Sequence, residues 1–533
     1  MGVWRAVSER VGAWLLRFLV ACGTAALVFY FGWWFQEGRI SSPVLAAALA
    51  LAALYHCFQM GGAWFFYLMA RRRPPVPPRP DELGVDVFVT ACREEPALVS
   101  RALEAALALR GEHDTWLLDD GNDPRLAALA RRLGARYLTR TDRRNAKAGN
   151  LNAALARTRA DVIVIFDVDH APTPEFLERS VGHFADPRVG FVQVMLTYGN
   201  GEASWISRAA VEAWLDFHNP TSIGMDGIGA VTLHGSNALI RRTALESIGG
   251  YRPGLAEDLA TSIELHAAGW RSVYVPEPLA PGLAPVDVAG WFTQQIKWSR
   301  GVFEVLLTQY PRLFRRLGWP QRLSYAVRST YYWIGSLIFA HLVFLCAALF
   351  SGRPMVRSDV EEYLIHYLPL AVMFLAIRRL ARRLWRHPAT PTALEWRGIL
   401  LVYATWPVYT LAWVMALLRA PLRFRMTPKR AGDPQRLWLV PQALFAVLLA
   451  AGAAYALFVG EDRQTLLIAS ALAQVLMATG FFAFAAIPAR RPLDAGRSEE
   501  PPDAEVVHSA EAAARAAVPA LFREPRWQNP WPL

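Results

Sequence analysis

Charge is scarce in this 533-residue chain: Asp, Glu, Lys and Arg make up 19% of it, against 54% hydrophobic residues and 20 tryptophans. So little charge, with apolar residues gathered unevenly, excludes a purely soluble protein and points to membrane helices around a soluble insert. Cysteine is scarcer still. The 4 cysteines, Cys22, Cys57, Cys92 and Cys346, lie far apart and form no Cys-x-x-Cys pair, so neither a zinc site nor a disulfide framework is supported. Acidic residues are outnumbered 45 to 56, for a net charge of +11, but many of the cations sit in short clusters beside apolar runs, as at Arg71-Arg72-Arg73 and over 378–386. Clusters so placed are cytoplasmic flanks of membrane spans, not a nucleic-acid surface. The first apolar run lacks a small-residue cleavage site, so it reads as a retained anchor.

What is present falls into four parts. Residues 11–35 and 43–69 are each long enough to cross ~30 Å of hydrocarbon, and Arg71-Arg72-Arg73 after the second places the amino terminus and everything from residue 71 in the cytosol. Long apolar runs then vanish from 81 to about 318. Strand-like runs at 85–90, 115–118, 135–138, 162–166 and 190–195 alternate with helix-like ones, which implies a doubly wound, mostly parallel α/β sheet. The membrane returns at 324–350, 362–377, 437–459 and 465–487, for about six spans. Residues 398–418 are apolar too, but they carry Pro407 and lie between basic clusters at 378–386 and 419–430. If they crossed, one cluster would face outward, so they are expected to lie in the cytosolic interface. The tail from 490 to 533, rich in Pro, Ala and charge, is expected to be disordered. The expected domains are 1–70, 71–318, 319–489 and 490–533.

The chemistry gathers at strand ends. Val162 to Phe166 read as a strand buried on both faces, with Asp167 and Asp169 at its C-terminal end, where ligands bind in open α/β sheets. Two oxygen donors there suit a divalent cation carrying a diphosphate, although an isolated Asp-x-Asp is equally well a solvated turn. Asp119-Asp120-Gly121 follows another strand and offers carboxylates to a nucleobase N–H or a ribose hydroxyl. Lys147 opens a helix, placing a cation and free N–H groups where a diphosphate fits. Glu257-Asp258 begins a helix, with Asp258 the candidate general base. Gln294, Lys297 and Trp298, spaced i, i+3, i+4, share a helix face that suits a stacked sugar beside a charged leaving group.

Taken together, Asp119-Asp120-Gly121, Asn145-Ala146-Lys147-Ala148-Gly149-Asn150, Asp167-Val168-Asp169-His170, Gly235-Ser236-Asn237, Glu257-Asp258 and Gln294-Gln295-Ile296-Lys297-Trp298 occur in an order that resembles processive family-two glycosyltransferases, most like the cellulose synthase catalytic subunit. Phe424-Arg425-Met426-Thr427-Pro428-Lys429, within 419–434, is similar to that family's gating loop. The resemblance implies a GT-A fold, a UDP-sugar donor, Mg2+ or Mn2+ held through Asp169, and a growing polysaccharide extruded through the membrane helices of a bacterial inner membrane protein. It implies donor contacts from Asp119 or Asp120, Lys147, Asp167 and Lys297, and acceptor contacts from His234, Gly235, Ser236, Glu257, Gln294 and Trp298. It implies closure over the donor by Phe424, Met426, Thr427 and Lys429.

Departures from the pattern are also informative. Ala256 stands where a Thr is common, Lys297 where Arg is usual, and His234 where Cys is common. Lys297 replaces a bidentate fork with a point charge. These changes leave glycosyl transfer intact and open the product: a cellulose-like β-1,4-glucan is favoured, with β-1,3-glucan, mannan or transfer to a lipid acceptor as alternatives. A nucleotide-regulated transporter would explain the spans but not the co-occurring motifs. The tail is too short for a PilZ domain, so no cyclic di-GMP site is expected, and export past the membrane calls for accessory subunits.

Overall fold

The computed structural model describes residues 2–351, 356–390, 395–422, 436–458, 464–487 and 489. The gating-like residues Phe424, Met426, Thr427 and Lys429 and the tail from 490 lie outside the described residues. Nine strands form in the soluble insert: β1 (Val85–Ala91), β2 (Asp114–Asp119), β3 (Arg136–Thr139), β4 (Val162–Asp167), β5 (Val189–Val194), β6 (Thr197–Tyr198), β7 (Ala238–Arg241), β8 (Arg271–Val275) and β9 (Pro281–Gly282). Seven of them make one sheet in the order β3-β2-β1-β4-β7-β5-β8, and β6 pairs with β9 beside it. All pairings in the large sheet are parallel except those of β7, which runs antiparallel to β4 and β5. The five expected strands are all present. Of the four that were not expected, β7 and β8, which belong to the large sheet, are only four and five residues long, and β6 and β9 are two residues each.

Both faces of the sheet are covered, as the apolar runs require. Val87, Val89, Leu117, Val164 and Phe166 meet Val99, Leu103, Leu126 and Leu129 from the helices Pro96–Leu107 and Pro124–Leu133. The alternate residues Phe88, Leu118, Ile163 and Ile165 meet Ala148, Leu151 and Ala154 of the helix Ala146–Leu155. Strand order reverses between β1 and β4, so the crevice at their C-terminal ends is the switch point at which such sheets bind ligands. Register puts Thr90 beside Asp167 and Ala91 beside Asp119 at that edge.

Among the described residues, six helices are long and apolar enough to cross a membrane: Arg10–Trp34, Pro43–Met69, Trp333–Ser351, Val360–Trp385, Leu437–Phe458 and Thr465–Ala485. Two differ from expectation. The run at 324–350 divides, because the helix Trp319–Thr330 is docked on the soluble domain, with Ser324 Oγ donating to the Ala230 carbonyl at 2.8 Å and the Tyr325 hydroxyl 2.8 Å from His266 Nδ1. Only Trp333–Ser351 remains as the span. The run at 362–377 instead extends as Val360–Trp385, through Arg378 and Arg382, because both find Glu395, at 2.5 and 2.7 Å. The stretch at 398–418 is a pair, Trp396–Ala404 and Trp406–Leu417, bent by 45°. The break falls at Thr405, before Pro407, whose missing N–H is no loss in a first turn. Counting the pair as one span makes seven crossings, and leaving it in the interface makes six.

This pair is fastened to the soluble insert. Glu212, 2% exposed, accepts from the N–H groups of Arg397 and Gly398 and from Arg397 Nη1 at 2.8 Å. Gly398 is required there, since a Cβ would come within 2.5 Å of the Ala213 nitrogen. Glu395→Ala removes the carboxylate that Arg378 and Arg382 share, although Arg378 keeps Asp216 at 3.6 Å, and removal of one partner from so buried an ion pair costs about 3–5 kcal/mol. A clearly lower apparent Tm is therefore expected in detergent, and an unchanged one would show that water already solvates Arg378 and Arg382.

Candidate active site

Asp167 closes β4 with its N–H donating to Ser236 Oγ at 3.1 Å. Its Oδ1 accepts from Thr90 Oγ1 at 2.9 Å and from Lys147 Nζ at 2.5 Å, and the same ammonium reaches the Gly235 carbonyl at 2.9 Å. Gly235 has φ +90°, a left-handed conformation that turns this carbonyl toward Lys147. Burial works against the charge on Lys147, but Asp167, Glu257 and Asp258 outweigh it and hold the ammonium above its ordinary range. Lys147 is therefore the link between the Asp-x-Asp pair and the Glu-Asp pair.

Asp167, Asp169 and His170 each place a donor atom within 4.8 Å of the others. His170 Nδ1 lies 3.4 Å from Asp169 Oδ1, is buried and makes no hydrogen bond among the described residues. Glu94 is a third carboxylate beside this group. Burial pushes it up, as do Asp167 and Asp169, although the Cys92 N–H donates to it. Asp167, Asp169 and Glu94 gather negative charge at the end of β4, and two carboxylate oxygens with an imidazole nitrogen fit a divalent cation.

The Glu-Asp pair opens the helix Glu257–Ala267. Burial and the Asp258 charge push Glu257 up to about 7, against the pull of Lys147. Burial also raises Asp258, opposed by Arg328, the Leu259 N–H and Lys147. A carboxylate raised toward neutrality is a better proton acceptor than an ordinary one.

The remaining expected residues take varied places. Asp119, fully buried, accepts at Oδ1 from the Gly121 N–H at 2.7 Å, and at Oδ2 from the Asp123 N–H at 2.7 Å and the Tyr137 hydroxyl at 2.9 Å. Asp120 is paired with Arg140 at 2.6 and 3.0 Å. Both carboxylates thus shape the loop at the edge of the crevice. Ser236, 2% exposed, bonds to Asp167 and Asn237 and serves the Asp-x-Asp strand end. The His234 ring sits against Phe217, His218 and Tyr274 and is held neutral, first by burial and then by Arg328. Gln294 reaches Tyr198, which itself faces Asp169. Trp298 lies edge-on to Trp214 at 5.5 Å, in the cluster that joins the helix Val288–Leu307 to Trp406–Leu417. Trp298 is thus turned inward, and Lys297 precedes it on the same helix. Thr90, Glu94, His170, Tyr198 and Arg328 were not expected. His170 adjoins Asp169, and Arg328 is a lone charge at the start of an apolar run, which were the available signals.

A family model described as glycosyltransferase like family 2 matches residues 80–301, and one described as cellulose synthase matches 241–386. The cellulose synthase 1 of Komagataeibacter xylinus is 31% identical over 401 residues, covering 73% of this chain and 25% of its own length. The UDP-forming cellulose synthase catalytic subunit of Xanthomonas axonopodis pv. citri is 31% identical over 353 residues, 62% of this chain and 48% of its own. The chain spans about a quarter to a half of the curated relatives it matches. A mannosyltransferase from Pyrobaculum calidifontis, solved in complex with GDP-Man and Mn2+, aligns with a TM-score of 0.51 at 18% identity, over 70% of this chain and 99% of its own, and shares the GT-A-like fold. The two models overlap over 241–301, the stretch that holds the helices Glu257–Ala267 and Val288–Leu307, and residues 80–386 thus carry a family-two-like glycosyltransferase domain and a cellulose synthase domain.

Proposed function

We propose that the protein is an inverting hexosyltransferase that moves glucose from UDP-glucose onto a growing β-glucan, cellulose-like in linkage, on the cytosolic side of a bacterial membrane. The observation that carries this reading is the link through Lys147 of Asp167, in the cation-type cluster, to Glu257 and Asp258. The motif order, the inward Trp298 and the apolar helices support it.

In this reading Asp258 takes the proton of the acceptor hydroxyl as that oxygen bonds to the anomeric carbon, and the bond to UDP breaks with its electron pair leaving on the diphosphate. Asp167, Asp169 and His170 would hold a Mg2+ or Mn2+ ion, which would supply charge neutralisation to the diphosphate. Lys147 and Lys297 add positive charge to the same side. Trp298 stacks the terminal sugar, Gln294 and His234 line the acceptor path, and the Asp119–Asp120 loop holds the uridine end. Because a polar chain cannot cross hydrocarbon unaided, the helices around Trp298 form its exit.

Membranes containing the full chain, given UDP-glucose and Mg2+, are expected to release UDP in step with a radiolabelled polymer that a β-1,4-specific glucanase digests. Digestion only by a β-1,3-glucanase or a mannanase would change the product, and absence of UDP release from every UDP-hexose would overturn the reading.

A further inference from the structure

Arg328 is a buried cation that no step above uses. It lies on the helix Trp319–Thr330, which leads directly into the span Trp333–Ser351. Its Nη1 donates to Thr232 Oγ1, and its guanidinium carbon sits 5.4 Å above the Phe217 ring. Thr232 is fully buried and begins a segment fastened to the helix that carries Asp258. The Leu233 N–H donates to Ser262 Oγ at 2.7 Å, and that hydroxyl donates to the Asp258 carbonyl at 2.8 Å. Two residues further on, a Cβ on Gly235 would stand 3.8 Å from Asp258 Oδ2. The guanidinium is thus clipped to the segment that lies over the Asp258 carboxylate.

We propose that Arg328 is a positioning residue for the proton-transfer step: it clamps the Thr232–Gly235 segment over Asp258 and supplies the counter-charge to that carboxylate from the helix that precedes the span Trp333–Ser351. This rests on the reading of Asp258 as the general base.

The charges around Asp258 support the assignment. Glu257 lies on its own helix, Lys147 faces it from the helix Ala146–Leu155, and Tyr251, Tyr325 and Tyr332 face it from three further positions. Lys147 is already committed to Asp167 and the Gly235 carbonyl. His218 and His234 flank Arg328 but stay neutral, burial holding His218 down at about 3 and His234 well below its ordinary value. Neither imidazole therefore replaces the guanidinium at neutral pH. Burial opposes the charge on Arg328, while Asp258 favours it.

The test is the pH profile of kcat/KM for UDP release by the full chain, with UDP affinity measured alongside. Because removal of an opposite charge raises a carboxylate, Arg328→Met is expected to move the acid limb up by about one to three pH units and to lower kcat ten- to a hundredfold, with UDP affinity within twofold. Arg328→Lys, which keeps the charge, should hold the limb near wild type. Thr232→Val, which releases the clamp and keeps the charge, should lower kcat about tenfold without moving the limb, and it serves if Arg328→Met does not fold. An acid limb that stays in place in Arg328→Met, a limb in Arg328→Lys as far displaced as in Arg328→Met, or a wild-type kcat in Thr232→Val would overturn the inference. Wild-type protein that releases no UDP would instead remove the general-base reading and this inference with it.

Discussion

Asp258→Asn is expected to leave UDP binding within a few-fold of wild type and to lower kcat by about 10²–10⁴-fold, the span that a positioned general base contributes. The substitution keeps the shape of the side chain at the start of the helix Glu257–Ala267 and removes only the proton acceptor. Its neighbour does not take over. Glu257, pushed up to about 7 by burial and by Asp258, lies next to Lys147, and Lys147 is bound to Asp167. Loss of the Asp258 charge removes the repulsion on Glu257, which then settles lower and becomes a weaker base. Single-turnover UDP release with a parallel binding isotherm separates the two effects. Polymer synthesis at more than a tenth of the wild-type rate would assign the proton to another group.

Asp169→Ala is expected to act at the other end of Lys147, by taking one of three donors from the Asp167–Asp169–His170 group. Activity should fall by at least about a thousandfold, the equivalent of about 4 kcal/mol of charge stabilisation on the leaving diphosphate. Mn2+ binding in the presence of UDP should fall with it. Unlike a structural lesion, the loss should leave the apparent Tm of the metal-free protein unchanged, because Asp169 lies beyond the end of β4. Activity that survives Asp169→Ala, or that persists in EDTA, would remove the cation from the account.

Much of the site was legible because its parts are local. β4 and its Asp-x-Asp declare themselves as an apolar run ending in two carboxylates, and the helix face of Gln294, Lys297 and Trp298 follows from spacing alone. What the sequence concealed depends on partners distant in the chain. Asp119 and Asp120 look like free carboxylates, yet Tyr137 and Arg140 engage them from β3 and its exit. β7 and β8 are too short to carry a clear period. Arg328 was counted within an apolar run at 324–350, where a solitary charge is itself a sign of function. The helix break before Trp333 and the docking of Ser324 and Tyr325 on the soluble domain are tertiary facts, with no trace in hydropathy. Glu395 was hidden in the same way, since nothing near it in sequence calls for the two arginines it holds.

The central claim is that the Asp-x-Asp end of β4 seats a cation on the diphosphate of a sugar nucleotide, within reach of the Glu-Asp helix. The most direct measurement is the phosphorus hyperfine coupling of Mn2+ bound to the full chain with UDP. The account predicts a single Mn2+ per chain with clear phosphorus coupling, lost in Asp169→Ala and retained in Asp258→Asn. Mn2+ that binds without phosphorus coupling, or coupling that persists in Asp169→Ala, would contradict it.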